Sequence, residues 1–194
     1  MTTLLLATTN PNKMREIRRL LAGAAAEMVT LAEWPDVVAP EETGTTFEEN
    51  ARAKARYYAA ATGALTVAED SGLSIDALDG APGVHTARYA GEHASYADNC
   101  AKLVGALQGA RSRAAQFRTV ALVLWPDGRE LAVEGVCPGT IAERERTGRG
   151  FGYDPVFVPD DGDGRTFSEM TDAEKNAMSH RGRAFSALVE RLRS

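Results

Sequence analysis

The chain has 194 residues, of which 44% are hydrophobic and 25% are charged, and its formal net charge is -5. This size suits one compact domain or two small lobes and argues against two large independent domains, while the balanced composition argues against wholesale disorder. The negative charge disfavours a general nucleic-acid binder, which needs a broad basic face, whereas a single small anionic ligand needs only a few local cations.

Cysteine usage and hydrophobic patterning indicate a cytoplasmic protein. Cys100 and Cys137 are the only cysteines, and they lie far apart, so we expect neither a disulfide framework nor a structural metal. The apolar run at residues 4–7 follows no basic segment and ends at Thr8, so it fits neither a signal peptide nor a membrane span. We therefore expect a reducing compartment and no membrane partner.

The first part of the chain is predicted to form a strand, a loop and two helices. Residues 4–7 form a buried strand, residues 8–13 a polar turn, and apolar residues over 14–21 recur at helical spacing. A second helix begins near Thr46, which can form a capping box with Glu49, and it ends at the next glycine.

The middle of the chain is predicted to contain a strand, a turn and a third helix. Residues 65–68 form a buried strand that ends at the acidic pair Glu69 and Asp70. A turn at residues 80–83 and a helix over residues 96–107 follow.

The last part of the chain is predicted to contain a hairpin, a glycine-rich loop, a strand and a helix. In order, these lie at residues 117–124 with 130–136, 147–152, 156–158 and 184–192. Thr171 and Glu174 form a second capping box before the final helix. No internal repeat or long linker is apparent, and the mixture of elements predicts a mixed α/β fold, which we treat as one domain over residues 1–194.

A polar cluster follows the first strand, and it contains Thr8, Thr9, Asn10 and Lys13. Backbone N–H groups at a helix start, together with a hydroxyl and an ammonium, suit a phosphate group. The alternative is structural: Asn10 or Thr9 only caps the helix, and Lys13 points to solvent. Taken alone, these residues leave both interpretations open.

Acidic residues occur in a loop before the second helix, at Glu41 and Glu42, and after the second strand, at Glu69 and Asp70. Converging carboxylates beside a phosphate suit Mg²⁺, which prefers oxygen ligands and keeps several waters. For Glu48 and Glu49, at the start of the second helix, the alternative is that they only interact favourably with the helix dipole. Glu69 and Asp70 resist a purely structural explanation, because acids beside a buried strand cost stability unless they are solvated or paired.

Small residues surround an aromatic ring and a carboxylate at Phe151, Gly152, Tyr153 and Asp154. Such a ring can stack on a planar base, and the carboxylate can accept from the N–H groups of that base. The alternative is that Phe151 and Tyr153 are ordinary core residues beside a turn.

Donor groups cluster near the start of the final helix, at Lys175, Ser179, His180 and Arg181. A purine with a 6-keto oxygen accepts from such donors, whereas the 6-amino group of adenine leaves them unpaired. The alternative is that His180 and Arg181 lie on a solvated helix face.

These clusters lie in five segments: LATTNPNKMREI, EETGTTFEENARAKA, EDSGLSIDALDGAPGVHTARYAG, GFGYDPVF and EKNAMSHRGRA. In this order, and over nearly the whole chain, they resemble the inosine triphosphate pyrophosphatase family. The resemblance implies hydrolysis of ITP, dITP and XTP to the nucleoside monophosphate and pyrophosphate. It also implies an elongated two-lobed α/β fold with a mixed sheet, a nucleotide cleft between the lobes, and a homodimer.

The resemblance further implies roles for individual residues. The substrate would be contacted by Thr8, Thr9, Asn10, Lys13, Ser71, Phe151, Gly152, Tyr153, Asp154, Lys175, His180 and Arg181. Within this set Phe151 would stack on the base. The cofactor Mg²⁺ would be held by Glu41 and Asp70, with Asp70 also the proton acceptor, while Glu42 and Glu69 are neighbouring carboxylates that remain open as ligands.

Two positions depart from the family pattern. Thr9 stands where many members have glycine, and a β-branched residue does not easily take a positive φ. Either the turn needs no positive φ, or the phosphate contacts differ. Glu69 stands where aspartate is common, and the extra methylene leaves its ligand role open.

Two other functions are compatible with these residues. One is a pyrophosphatase for another modified base, such as an odd pyrimidine, and the other is a nucleotide-sensing module without turnover. The combination of Lys13, Glu41 and Asp70 argues against the sensing module, because sensing requires no proton acceptor. The residues do not rank inosine against xanthosine, or ribose against deoxyribose.

Overall fold

The computed structural model describes residues 3–23 and 27–193 of the chain. Its strands are β1 (Thr3–Leu6), β2 (Glu27–Thr30), β3 (Leu65–Ile75), β4 (Ala114–Leu124), β5 (Glu130–Ile141) and β6 (Phe157–Pro159). Its helices are α1 (Pro11–Leu20), α2 (Phe47–Thr62), α3 (Tyr96–Ala106), α4 (Asp172–Met178) and α5 (His180–Arg193). The strands form one sheet in the order β2-β1-β3-β4-β5-β6, with β1 parallel to β2 and β3, and β5 antiparallel to β6. The predicted mixed α/β fold is confirmed.

The chain divides into two compact units. The first unit comprises Met1–Asp70, Thr119–Gly135 and Ala184–Ser194, and the second comprises Ser71–Arg118 and Val136–Arg183. Strands β3, β4 and β5 each contribute residues to both units.

The first unit buries both faces of its part of the sheet. Leu4 and Leu6 of β1 pack in one cluster with Ile17 of α1 and with residues of α5. Leu5 packs in another cluster, with Ala51 of α2. Because successive side chains of a strand point to opposite faces, this two-sided burial explains the unbroken apolar run at residues 4–7.

The second unit has one core cluster. Leu73 and Ile75 of β3 pack there with Leu103 of α3 and with aromatic residues. The ring centroids of Phe117 and Phe157 lie 4.7 Å apart in an edge-to-face arrangement, which is a favourable geometry for two aromatic rings.

Local capping signals define the helix ends as predicted. The Thr46 and Glu49 capping box opens α2, and Gly63 ends it with φ of 69°, a conformation that glycine adopts readily. The Thr171 and Glu174 capping box is also present, but it opens the short helix α4. The interval between this box and the predicted final helix therefore holds a separate helix.

Several predicted strand boundaries are wrong. Glu69 and Asp70 do not lie at the end of a strand, because β3 continues through them to Ile75. The hairpin strands β4 and β5 are also longer than predicted. Within the described part of the chain, no helix is both long and apolar enough to cross a membrane.

Candidate functional site

The turn between β1 and α1 is organised by Asn10. Its Oδ1 accepts from the backbone N–H groups of Asn12 at 3.0 Å and Lys13 at 3.2 Å, and Pro11 occupies the first turn of α1. The backbone N–H of Asn10 in turn donates to Thr8 Oγ1 at 3.2 Å. Asn10 is therefore the N-cap of α1, as the structural alternative predicts, and Thr8 stabilises the same turn.

Lys13 and Thr9 occupy different environments in this segment. Lys13 Nζ lies 2.8 Å from Glu69 Oε1, and the two side chains are 19% and 1% exposed. The alternative that Lys13 simply points to solvent is therefore wrong. Thr9 is exposed, and Asp79 is the only non-glycine residue with a positive φ in residues 3–23 and 27–193. The turn thus needs no positive φ at Thr9.

The carboxylate of Asp70 is buried in the interior of β3 and is contacted by two side chains of α2. Its Oδ2 accepts from Asn50 Nδ2 at 3.1 Å, and its Oδ1 lies 3.3 Å from Lys54 Nζ. Burial raises the pKa of Asp70, and the positive charges of Lys54 and Lys13 offset this increase only in part. A carboxylate with a raised pKa is better suited to take a proton from water.

Lys54 connects Asp70 to the acidic loop. Its Nζ lies 2.6 Å from Glu42 Oε1, so one ammonium bridges a loop carboxylate and a strand carboxylate. Burial lowers the pKa of Lys54, but the charges of Asp70, Glu42 and Glu69 outweigh burial and the pKa is raised. Glu41 is exposed in the same loop. Across residues 3–23 and 27–193, no three His, Cys, Asp or Glu side chains are grouped closely enough to hold a metal by themselves.

Asn50 and Lys54 are the two site residues that the sequence analysis missed. They are four residues apart on α2, and each directly precedes a buried alanine of the core face, Ala51 or Ala55. Polar residues at i and i+4 lie on one side of a helix. Their position beside the apolar stripe is the signal that could have predicted them.

In the second unit, Asp154 anchors the glycine-rich loop. Its Oδ2 accepts from the backbone N–H of Phe151 at 2.9 Å and lies 2.6 Å from Lys175 Nζ. Gly150 has φ of 94°, and a Cβ there would lie 2.1 Å from Asp154 Oδ2. Only glycine therefore allows the loop to close over this carboxylate.

The ring of Phe151 is half-buried and lies among cations. Lys175 Nζ is 4.7 Å and the Arg181 guanidinium carbon 5.9 Å from the ring centroid, and the Tyr96 ring is 6.1 Å away. Tyr153 is buried and donates its hydroxyl to the Thr86 carbonyl at 2.9 Å. The structural alternative thus describes Tyr153, while Phe151 keeps part of its surface exposed.

Gly152 and Ser179 shape the backbone around these side chains. Gly152 has φ of 63°, and its carbonyl accepts from Cys100 Sγ at 3.3 Å. Ser179 separates α4 from α5, and its Oγ accepts from the backbone N–H of Gly182 at 3.1 Å. A Cβ at Gly182 would lie 1.8 Å from the Asn176 carbonyl oxygen, so glycine is required where the two helices meet.

His180 and Arg181, which begin α5, are both buried. The His180 ring stacks on Phe117 with centroids 4.5 Å apart and an interplanar angle of 11°. Arg181 is 2% exposed, and its Nη2 donates to Ser71 Oγ at 3.0 Å. The alternative of a solvated helix face is therefore wrong, and each residue is fixed by a neighbour that is distant in sequence.

Comparison with known proteins identifies relatives of the whole chain. The sequence profile of the Ham1 family matches residues 4–191. A dITP/XTP pyrophosphatase of Mycolicibacterium paratuberculosis is 48% identical over 99% of this chain and 96% of its own length. The structure of a HAM1 protein from Coxiella burnetii has a TM-score of 0.90 and 40% identity, covering 99% of this chain and 98% of its own.

A further solved structure is that of a nucleoside-triphosphatase / dITP/XTP pyrophosphatase from Mycobacterium abscessus. It has a TM-score of 0.78 and 43% identity, covering 96% of this chain and 97% of its own. Sequence similarity and fold similarity therefore agree over almost the full length. The chain belongs to the Ham1 family.

Proposed function

We propose that this protein hydrolyses non-canonical purine nucleoside triphosphates, such as ITP, dITP and XTP, to the nucleoside monophosphate and pyrophosphate. The names of its relatives support this substrate class. The observation that carries the proposal is the acidic pair of β3, in which Glu69 pairs with Lys13 and Asp70 with Lys54. Cations that can bind phosphate thus lie beside a buried carboxylate that can take up a proton.

The acidic residues have the donor chemistry of a magnesium site. Oxygens of Glu42 and Asp70 already flank one cationic group, Lys54 Nζ, at 2.6 and 3.3 Å. Mg²⁺ is usually held through one or two carboxylates, while waters and substrate phosphates supply the other ligands. We propose that Glu41 and Asp70 hold the ion, with Glu42 and Glu69 beside them. When bound, Mg²⁺ neutralises charge on the phosphate oxygens.

In this proposal, side chains of the protein take up the proton and neutralise the phosphate charge. Asp70 accepts a proton from the water that attacks the α-phosphorus. The bond from the water oxygen to phosphorus forms, and the bond from phosphorus to the bridging oxygen of the pyrophosphate breaks. Lys13 and Lys54 neutralise the departing pyrophosphate, and the turn of Thr8, Thr9 and Asn10 contacts the phosphates.

The second unit is proposed to recognise the base. Phe151 stacks on the purine, and His180 and Arg181 donate to its 6-keto oxygen, which adenine lacks. Asp154 and Lys175 hold the loop and contact the substrate. Ser71, Gly152 and Tyr153 are further substrate contacts in this proposal.

We also propose that the protein acts as a homodimer in the cytoplasm, without a nucleic-acid or membrane partner. The free cysteines Cys100 and Cys137 fit a reducing compartment. The dimer is implied by the family resemblance. Light scattering of the purified protein should give the mass of two chains, and the mass of one chain would overturn the dimer.

The test of the proposed function is the release of products from ITP, dITP, XTP, ATP, GTP and a modified pyrimidine nucleoside triphosphate at equal concentration with Mg²⁺. We expect the monophosphate and pyrophosphate, with the 6-keto substrates ITP, dITP and XTP strongly preferred over ATP. Release of orthophosphate would reject the proposed cleavage site. Preference for a modified pyrimidine would support the other pyrophosphatase, and binding without turnover would support the sensing module.

A further inference from the structure

Helices α2 and α3 begin with the same arrangement. Both open with a capping box, formed by Thr46 with Glu49 and by Ser95 with Asp98. In both helices an aromatic residue follows the N-cap and an asparagine follows the acid of the box. This short repeat, which the sequence analysis did not predict, gives each unit one asparagine at the same helical position.

Both asparagines are buried and connect their helix to the preceding loop. Asn50 is 2% and Asn99 is 1% exposed. The Asn50 Oδ1 accepts from the backbone N–H of Gly44 at 2.8 Å, and the Asn99 Oδ1 accepts from that of Ala90 at 2.7 Å. The oxygen of each amide therefore performs the same structural task.

The amide nitrogens have different partners. Asn99 Nδ2 donates to the backbone carbonyl of Ala87 at 3.1 Å, so its second hydrogen bond also fastens a loop. Asn50 Nδ2 donates instead to the carboxylate of Asp70 at 3.1 Å. One of the two asparagines thus contacts the residue proposed to accept the proton.

The loop around Gly44 approaches α2 very closely. A Cβ at Gly44 would lie 2.5 Å from Asn50 Oδ1 and 2.9 Å from Glu49 Cβ, so a larger residue would force the loop away. The same loop carries Glu41 and Glu42. One amide group therefore holds the loop of these two acids with its oxygen and the Asp70 carboxylate with its nitrogen.

We infer that Asn50 is a positioning residue, which sets the Asp70 carboxylate and the Glu41 and Glu42 loop relative to each other. A neutral amide suits this task because it offers a donor to one group and an acceptor to the other. An aspartate could accept from Gly44 but would repel Asp70. The inference rests on the proposed function, because it concerns the geometry of the same reaction.

The variants Asn50→Ala, Asn50→Asp and Asn99→Ala test the inference. Asn50→Ala removes both hydrogen bonds, whereas Asn50→Asp keeps an acceptor for Gly44 and loses the donor to Asp70. Asn99→Ala is the matched control, since it removes an equally buried asparagine that makes the same kind of loop contact. We compare kcat and KM for dITP with Mg²⁺, thermal stability, and amide hydrogen exchange of the two loops.

We expect both Asn50 variants to lower kcat by about 10- to 100-fold with KM changed less than about threefold, because misplaced reacting groups mainly slow the chemical step. Amide exchange in residues 41–46 should accelerate in Asn50→Ala and stay slow in Asn50→Asp. Asn99→Ala should accelerate exchange at residues 87–91 and keep kcat within about threefold of the wild-type value.

Near-normal kcat in Asn50→Asp would overturn the inference, and so would an equal loss of kcat in Asn99→Ala, which would indicate general destabilisation. If Asn50→Ala fails to fold, Asn50→Asp still decides between these outcomes. Absence of turnover in the wild-type protein would instead contradict the proposed function, so the two failures are distinguishable.

Discussion

Two buried aspartates, one in each unit, are held in different ways. Asp154 in the second unit lies 2.6 Å from Lys175 Nζ and accepts from the Phe151 N–H at 2.9 Å. The contacts of Asp70 in the first unit are longer, at 3.1 Å to Asn50 and 3.3 Å to Lys54, and burial raises its pKa. Short charge-assisted contacts are the stronger ones and hold the Asp154 carboxylate in place, whereas at Asp70 burial outweighs the contacts that favour the ionised form. Because both carboxylates are buried, their partners distinguish the loop anchor from the proposed proton acceptor.

The largest expected effect follows from changing Asp70 to asparagine. Asp70→Asn removes the proton acceptor, so we expect kcat for dITP to fall by about 10³- to 10⁴-fold while nucleotide binding persists. Pyrophosphate release measures the first quantity, and calorimetry with a non-hydrolysable dITP analogue measures the second. Near-normal turnover would contradict the role proposed for Asp70.

The free energy of unfolding of Asp70→Asn shows whether a loss of turnover comes from the missing proton acceptor or from a folding defect. A carboxyl whose pKa is raised in the folded state stabilises the protein where it is protonated, and this contribution is lost as pH rises through the folded pKa. Neutral asparagine at this position should therefore leave the free energy of unfolding at pH 7 unchanged or higher. A large loss of stability would mean that ionised Asp70 is itself a structural anchor.

Changing Lys175, in contrast to changing Asp70, should lower the stability of the protein. Lys175→Met leaves the buried Asp154 carboxylate without its ammonium, so we expect the free energy of unfolding to fall by about 3 kcal/mol. Urea denaturation measures this change. The double variant Lys175→Met with Asp154→Asn is the control and should recover part of the loss, because no charge is left uncompensated. No recovery would show that the ion pair is not what Lys175 contributes.

A smaller effect is expected for base selection by the second unit. Arg181→Lys keeps the charge but loses the planar fork that donates to Ser71 and lies near Phe151. We expect the ratio of kcat/KM for ITP over ATP to fall by about 10- to 100-fold, because a hydrogen bond to the 6-keto oxygen is weakened. An unchanged ratio would mean that the base site is assigned wrongly.

The smallest expected effect is a shift in pH dependence. Lys54 lowers the pKa of Asp70, so Lys54→Met should raise that pKa further. Because the ionised carboxylate is the active form, the acidic limb of kcat/KM should move to higher pH. The control Arg56→Met changes an exposed cation of the same helix that pairs with Glu130, and it should leave the limb in place. A limb that moves equally in both variants would contradict the assignment.

The sequence predicts those parts of the fold whose signals are local. Thr46, Glu49 and Gly63 define α2 because caps act on the turn in which they occur. The acidic pair Glu69 and Asp70 was predicted to end the strand, but Leu73 and Ile75 extend β3 into the core of the second unit. Such tertiary packing overrides local preference and cannot be read from a short window.

For the candidate site, the sequence likewise indicates which residues to consider but not which residues they contact. The residues expected near the phosphates include Lys13 and Asp70, yet their pairing with Glu69 and Asn50 depends on contacts between separate elements. Asn50 and Asp70 are 20 residues apart, so no spacing rule joins them. The sequence left a solvated helix face open as the alternative for His180, because its stacking on Phe117 is a contact between separate elements.

The most direct test of the account is to hydrolyse dITP in water labelled with ¹⁸O and to locate the label by mass spectrometry. If Asp70 activates a water that attacks the α-phosphorus, the label should appear in dIMP and not in pyrophosphate. Label in the pyrophosphate would show attack at the β-phosphorus. It would contradict the reaction proposed for this site.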